Sequence, residues 1–198
     1  CSAKDGKTAS YEALARWQDL EKGLVSPAAF IPVIEKNHLT YYLDMYILCE
    51  VVAKLQQWKE RGLDLKPVSV NLAHEDFEMP NLVEKINNLV TGAGLSRSLI
   101  KIEITERDLS NNTSRLKEQI DQLHSYGFEV WMDDFGSGYS SLNALNDYSF
   151  DLVKIDMVFV RHLDDGPLNR LLIPEIAKVA HKLGLKVLAE GVETEEQR

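Results

Sequence analysis

Two adjacent carboxylates, Asp133 and Asp134, stand directly after an apolar run in the stretch EVWMDDFGSGYSSL, residues 129–142. Neighbouring carboxylates repel each other, and buried charges are costly unless something neutralises them. Two such residues can serve two divalent cations, one of them as a bridge, and cations about 3.5–4 Å apart are used by many enzymes that cleave phosphodiesters. For this pair alone, a capping role before the Gly-rich turn explains the residues as well as a metal role does.

Polar side chains also mark the ends of the other apolar, β-branched runs. The runs cover residues 9–14, 68–72, 100–105, 129–133, 151–155 and 185–190. At or just past their ends stand Glu12, Asn71, Glu103, Asp133 with Asp134, Lys154 and Glu190. Carboxylate and amide oxygens are ligands that Mg²⁺ and Mn²⁺ prefer. Each residue alone is explained as a loop, capping or salt-bridge residue. Their recurrence at the same end of six runs favours a shared metal site, in which Lys154 would orient a water or stabilise developing charge.

Amphipathic helical patterns fill the gaps between these runs, at residues 27–37, 39–61, 81–92, 113–126, 140–145 and 168–183. Alternating strands and helices predict parallel pairing with right-handed crossovers, in either an open doubly wound sheet or a closed (β/α) barrel. In a barrel, the carboxyl ends of all strands face one mouth, so the polar residues would converge. We therefore predict a single α/β barrel domain over residues 1–198, and six strands in place of eight predict a chain trimmed at both ends.

Composition sets outer limits on the function. The chain has 198 residues, of which 44% are hydrophobic and 27% charged, as in ordinary soluble domains. A formal net charge of −9 argues against a surface that coats DNA or membranes. Cys1 and Cys49 do not suggest a disulfide framework, so a reducing compartment is expected. No apolar run is long enough to span a bilayer.

Seven short motifs occur in an order that resembles a known family. They read YEALARW (11–17), SPAAFIP (26–32), VSVNL (68–72), IEITE (102–106), DDFGSGYSSL (133–142), LVKID (152–156) and LAEGVET (188–194). This order is similar to that of EAL domains, bacterial phosphodiesterases that linearise cyclic di-GMP to pGpG. The resemblance implies a modified (β/α)₈ barrel whose first strand runs antiparallel to the others, with the first and last strands missing from this chain.

The same resemblance implies roles for the strand-end residues. The first of two cations, Mg²⁺ or Mn²⁺, would be held by Glu12, Asn71, Glu103 and Asp133. Asp133 would bridge to a second cation, whose site Asp134 would complete. Lys154 would position the attacking water. Glu190 would lie near the second cation, as a ligand through water or as a proton acceptor. Ca²⁺ is expected to bind but to inhibit.

Substrate and regulatory contacts are implied as well. Arg16 would contact a substrate phosphate and Leu14 would lie against the nucleotide. Glu106 would anchor a Gly-rich loop that links the metal site to the dimer interface in this family. The loop comprises Phe135, Gly136, Ser137, Gly138, Tyr139, Ser140 and Ser141. Implied partners are cyclic di-GMP, a second copy of the chain, and sensor or GGDEF domains outside this chain, in a cytoplasmic protein that such segments could tether to the inner membrane.

Two other functions stay open at this point. A catalytically silent cyclic di-GMP receptor would have lost metal ligands or loop residues, and both are intact here. An unrelated Mg²⁺-dependent barrel enzyme would need a phosphate-binding loop late in the barrel. The chain departs from the family pattern at His38, His74, Glu75, Arg107 and Met157. None is an implied metal ligand, but these changes could alter nucleotide contacts or dimerisation.

Overall fold

A parallel β-sheet lies at the centre of the protein. The computed structural model describes residues 1–2, 5–109, 114–138, 141–163, 167–194 and 197. The strands in this part are β1 (Tyr11–Glu12), β2 (Trp17–Asp19), β3 (Gly23–Val25), β4 (Val68–Asn71), β5 (Ile100–Thr105), β6 (Glu129–Phe135), β7 (Leu152–Ile155) and β8 (Lys186–Ala189). Six of them form a parallel sheet in the order β1-β4-β5-β6-β7-β8, while β2 and β3 form a separate antiparallel pair.

Strand β5 is buried on both faces. Ile100, Ile102 and Ile104 are all 0% exposed, and Lys101 and Glu103 between them are also buried. A parallel strand covered on both faces is usually a nearly continuous apolar, β-branched run, but β5 alternates isoleucine with polar residues. Polar residues are expensive inside such strands, which makes buried Glu103 and Lys154 unusual.

Helices follow the strands and cover the sheet. They are α1 (Pro27–Lys36), α2 (Thr40–Glu60), α3 (Leu82–Gly92), α4 (Glu106–Leu109), α5 (Ser114–Tyr126), α6 (Ser141–Asp147), α7 (Met157–Arg161) and α8 (Pro167–Lys182), with 3₁₀ helices at His74–Glu78 and Arg97–Leu99. Helix α5 shows how they pack, because its buried Leu116, Ile120 and Leu123 recur every three to four residues on one face. The described part contains no helix that could cross a membrane.

This architecture confirms the predicted α/β class and agrees with a modified (β/α)₈ barrel. Strand β1 pairs parallel with β4, so the antiparallel first strand implied by the resemblance has no counterpart in the sheet formed by the described residues. The absence of first and last strands from the chain stays a prediction.

Three local predictions were wrong or incomplete. Strand β1 covers Tyr11–Glu12 and not residues 9–14, because its ladder with β4 extends over two residue pairs before the chain turns away. The β2–β3 hairpin was not predicted, since three-residue strands carry little periodicity. The short helices α4 and α7 were also missed, because each begins directly after a strand without a linker of turn residues.

Candidate functional site

Four carboxylates surround one buried ammonium group at the carboxyl end of the sheet. Lys154 Nζ lies 3.0 Å from Glu103 Oε2 and 3.1 Å from Asp133 Oδ1. The same nitrogen lies 2.8 Å from Glu190 Oε1 and 3.5 Å from Glu12 Oε2. The parallel strands bring these residues together, although they are separated by up to 178 positions in the sequence (190 − 12). We call the five residues the acidic cluster.

Asp133 belongs to two groups of closely spaced acids, one of which also includes Asp134 from outside the acidic cluster. Carboxylate oxygens of Glu12, Glu103 and Asp133 lie within 4.8 Å of one another, and so do those of Asp133, Asp134 and Glu190. Two oxygen-rich groups that share one aspartate fit a pair of divalent cations with a bridging carboxylate. The strand-end residues are thus brought together as the sequence pattern required, while their roles as metal ligands stay a prediction.

A β-bulge explains how two neighbouring aspartates reach the same site. Successive side chains of a regular strand point to opposite faces. Here the register between β6 and β7 shifts between Met132 and Phe135, and Asp134 adopts a left-handed backbone with φ +54°. The Asp134 amide donates to Asp133 Oδ1 at 2.9 Å, which stabilises the bulge. Burial and the nearby Asp133 charge raise the pKa of Asp134 to about 6.

Glu103 offers an unpaired oxygen that a cation could bind. Its side chain is fully buried, and Oε1 makes no hydrogen bond with any described residue. Burial raises the pKa of Glu103 to about 7, although the Lys154 charge opposes that shift. A buried carboxylate oxygen without a partner carries a large desolvation cost. A divalent cation bound there would remove that cost, so the donor set fits such an ion.

Lys154 keeps its charge in this environment. Burial alone would lower the pKa of the Lys154 ammonium, but the carboxylates of Glu103 and Asp133 outweigh it, and the pKa is raised. The group therefore remains protonated throughout the physiological range. It can attract a phosphate or orient a water, and it cannot act as a base there.

The remaining predicted site residues are Asn71, Leu14 and Arg16. Asn71 stands opposite Glu103 in the β4–β5 register, at the same end of the sheet. Leu14 is 55% exposed, and Arg16 is also exposed. Both line a cavity of about 700 Å³ between the segment that follows β1 and helices α1 and α2. The acids of the cluster are not part of its lining, so the cavity adjoins the acidic cluster and does not contain it.

Glu106 holds the Gly-rich loop that follows β6. Its Oε2 accepts hydrogen bonds from the amides of Gly136 at 3.0 Å and Gly138 at 3.2 Å. Gly136 has φ +92°, and a Cβ there would lie 2.3 Å from the ring of Phe159 of α7, so a larger residue would strain the backbone and displace that ring. The regulatory role of this loop stays a prediction. Among the other predicted loop residues, Phe135 ends β6, Ser137 is exposed and Ser141 begins α6, whereas Tyr139 and Ser140 lie outside the described residues.

Sequence reasoning missed two residues near the site. Asp156 lies close enough to Asp134 to raise the pKa of that residue, and it caps α7 through the amide of Val158 at 2.7 Å. Its position just past β7 was a usable signal, because the same rule selected the other acids. Phe159, which packs against Gly136, offered no such signal.

Comparisons with known proteins agree on one family. A family model described as the EAL domain matches residues 1–198. The cyclic di-GMP phosphodiesterase PdeR of Escherichia coli K12 is 34% identical over 189 residues, which are 96% of this chain and 28% of that protein. An uncharacterised signalling protein of Caulobacter vibrioides is 34% identical over 197 residues, 98% of this chain and 24% of that protein. The chain thus spans only about a quarter of these curated relatives.

Solved structures extend the similarity to three dimensions. The PaMucR phosphodiesterase in complex with c-di-GMP superposes with a TM-score of 0.89 at 31% identity. The match covers 98% of this chain and 79% of that one.

Proposed function

The chain belongs to the EAL domain family, and on that premise we propose that it is a metal-dependent phosphodiesterase that hydrolyses cyclic di-GMP to linear pGpG. The observation that carries this proposal is the pair of acid groups that share Asp133, together with the partnerless buried Oε1 of Glu103. Support also comes from relatives named cyclic di-GMP phosphodiesterases and from a related phosphodiesterase solved with c-di-GMP.

Different residues would bind the two cations. Glu12, Asn71, Glu103 and Asp133 would hold one cation, and Asp133 and Asp134 would hold the other, with Glu190 beside it. Bound Mg²⁺ or Mn²⁺ supplies an activated water and neutralises phosphate charge. Both ions are proposed from the oxygen donor set.

The chain's own side chains would complete the reaction. The Lys154 ammonium, fixed by four carboxylates, orients the attacking water and offsets negative charge that develops on the phosphate. Glu190 has a pKa raised mainly by burial and sits at the edge of the cluster, where it accepts the proton that the water loses. The exposed guanidinium of Arg16 contacts a substrate phosphate, and Leu14 provides an apolar surface for a base.

Assembly and location are part of the proposal in outline only. We propose a homodimer and additional signalling domains, and the membership of the family and the short span of the chain within its relatives support this. A cytoplasmic location stays a prediction.

The test is hydrolysis of cyclic di-GMP by the full-length protein, with pGpG measured by chromatography in Mg²⁺, Mn²⁺ or Ca²⁺. We expect turnover in Mg²⁺ or Mn²⁺ and little in Ca²⁺. Glu12→Ala should lose turnover, whereas Glu60→Ala, an exposed carboxylate at the end of α2, should not. Equal turnover in Glu12→Ala would contradict the metal role. Tight nucleotide binding without product in the parent would make the protein a receptor.

A further inference from the structure

The backbone that leaves Asn71 is held by carboxylates from other parts of the chain. The amide of Ala73, two residues later, donates to Asp76 Oδ2 at 2.9 Å and to Asp44 Oδ2 at 3.3 Å. Asp44 belongs to α2 and Asp76 to the 3₁₀ helix His74–Glu78. The Ala73 amide therefore holds two carboxylates close together, two residues after Asn71, a proposed metal ligand.

The next amide is held in the same way. His74 donates its backbone N–H to Asp108 Oδ1 at 3.2 Å, and Thr105 Oγ1 donates to Asp108 Oδ2 at 2.5 Å. The amide of Leu72 donates to the Glu103 carbonyl at 2.9 Å. Three successive amides after Asn71 are thus bonded, and the turn is fixed to β5 on one side and to α2 on the other.

Asp44 and Asp76 also contact each other. Their side chains are within hydrogen-bonding distance, and Asp76 is 0% exposed. Two carboxyl groups can form such a bond only when one of them carries a proton. Asp76 Oδ1 is buried and has no partner among the described residues that could donate to it. A proton on Asp76 that Asp44 accepts satisfies this atom.

The charged groups around the pair favour keeping that proton. Asp108 faces it from α4 and adds a negative charge. Two basic side chains contact acids of the neighbouring 3₁₀ helix: His38 Nδ1 lies 3.0 Å from Glu75, and Arg115 of α5 lies 3.6 Å from Glu78. Glu75, Glu78 and His74 belong to the 3₁₀ helix itself. Burial raises the pKa of both Asp76 and Asp44, with the effect larger for Asp76.

We propose that Asp44 and Asp76 share a single proton and together act as a positioning pair that fixes the turn after Asn71, so that its side chain is preset for a divalent cation. The positioning part rests on the proposed function, whereas the shared proton does not. The pair touches neither substrate nor cation, and its effect reaches the site through the Ala73 amide.

The shared proton is tested by chemical unfolding of the full-length protein across pH. The folded pair keeps a proton that the unfolded chain releases above about pH 4. Raising the pH from there should therefore favour unfolding, with an unfolding equilibrium constant that rises by up to about tenfold per pH unit. We expect this rise to continue past neutral pH. Asp76→Asn keeps a donor for Asp44 but has no proton to lose, so its curve should be flatter. Asp64→Asn, an exposed acid, is the matched control and should follow the parent. Parallel curves for the parent and Asp76→Asn would overturn the shared proton.

The positioning role is tested by calorimetric titration with Mg²⁺ alone. Asp76→Ala should weaken Mg²⁺ binding by about 10–100-fold, as loss of outer partners of metal ligands does, while Asp76→Asn should remain close to the parent. Asp76→Leu, which has the same number of side-chain heavy atoms branched at Cγ, replaces Asp76→Ala if the latter does not fold. Unchanged affinity in the disruptive variant, equal loss in Asp76→Asn, or no Mg²⁺ binding by the parent would each overturn the positioning role. If the Mg²⁺ affinities are as expected but the protein does not hydrolyse cyclic di-GMP, only the proposed reaction is refuted.

Discussion

Removing the ammonium at the centre of the acidic cluster should make the protein depend on divalent cations for its stability. Lys154→Met keeps the apolar length of the side chain but leaves four carboxylates without their shared partner. Removal of one partner from a buried ion pair costs about 3–5 kcal/mol. Glu12 is 33% exposed and Glu190 22%, so water screens part of the repulsion and the lower end applies, about 3 kcal/mol. For a chain of this length, that lowers Tm by about 6–12 °C.

The assay is urea unfolding of the parent and the variant, each with EDTA and with excess Mg²⁺. A ligand at about 100 times its Kd stabilises the folded state by about 2.7 kcal/mol. Mg²⁺ should stabilise the variant more than the parent and so narrow the deficit, because Lys154 already neutralises part of the carboxylate charge in the parent. Lowering the pH should recover part of it as well, because carboxylates deprived of Lys154 bind protons more readily in the folded state than in the unfolded chain.

Lys186→Met is the matched control, because this exposed lysine pairs with Glu129 at 3.1 Å and its loss should cost less than about 1 kcal/mol. Equal stability of Lys154→Met and the parent in EDTA would refute the reasoning. So would a deficit that Mg²⁺ does not reduce, since the carboxylates would then not be available to a cation.

Two further substitutions probe the loop and the opposite end of the sheet. Gly136→Ala should destabilise the protein by about 1–3 kcal/mol in urea unfolding, because the new Cβ would lie 2.3 Å from Phe159. Gly62→Ala, at φ +69° with open space around it, isolates the backbone strain, and an equal loss there would remove the case for a clash. The hydrogen bond that protonated His124 donates to Asp151 raises the pKa of His124. The stability that this bond contributes is therefore full below about pH 6.5 and is lost as the pH rises through the higher folded value. Asp151→Asn should abolish that pH dependence, and a variant curve parallel to the parent's would contradict it.

Periodicity and strand-end chemistry were enough to predict much of this molecule. The run at residues 100–105 became β5 without change, and helices α2 and α3 end within one residue of the predicted limits. Long buried runs and amphipathic stripes are local signals that tertiary packing reinforces. The convergence of Glu12, Glu103 and Asp133 followed from the parallel topology alone.

The unpredicted features depend on contacts between distant elements. Alternation along a strand would place Asp133 and Asp134 on opposite faces, and only the bulge against β7 brings both to the site. Asp44 and Asp76 lie on separate elements, so no spacing rule in the sequence joins them. The convergence of Lys154 with the strand-end carboxylates was predicted, but the sequence did not indicate that one ammonium would contact four of them.

The order of the clustered charges along the chain has a consequence for biosynthesis. Glu12, Glu103 and Asp133 leave the ribosome before Lys154, because synthesis proceeds from the N-terminus at about 5–20 residues per second. A nascent chain that has emerged only through β6 holds these carboxylates without the ammonium, so their mutual repulsion opposes closure of the sheet. We expect docking of β7 to extend the sheet and to supply the neutralising ammonium in one event, before β8 is added.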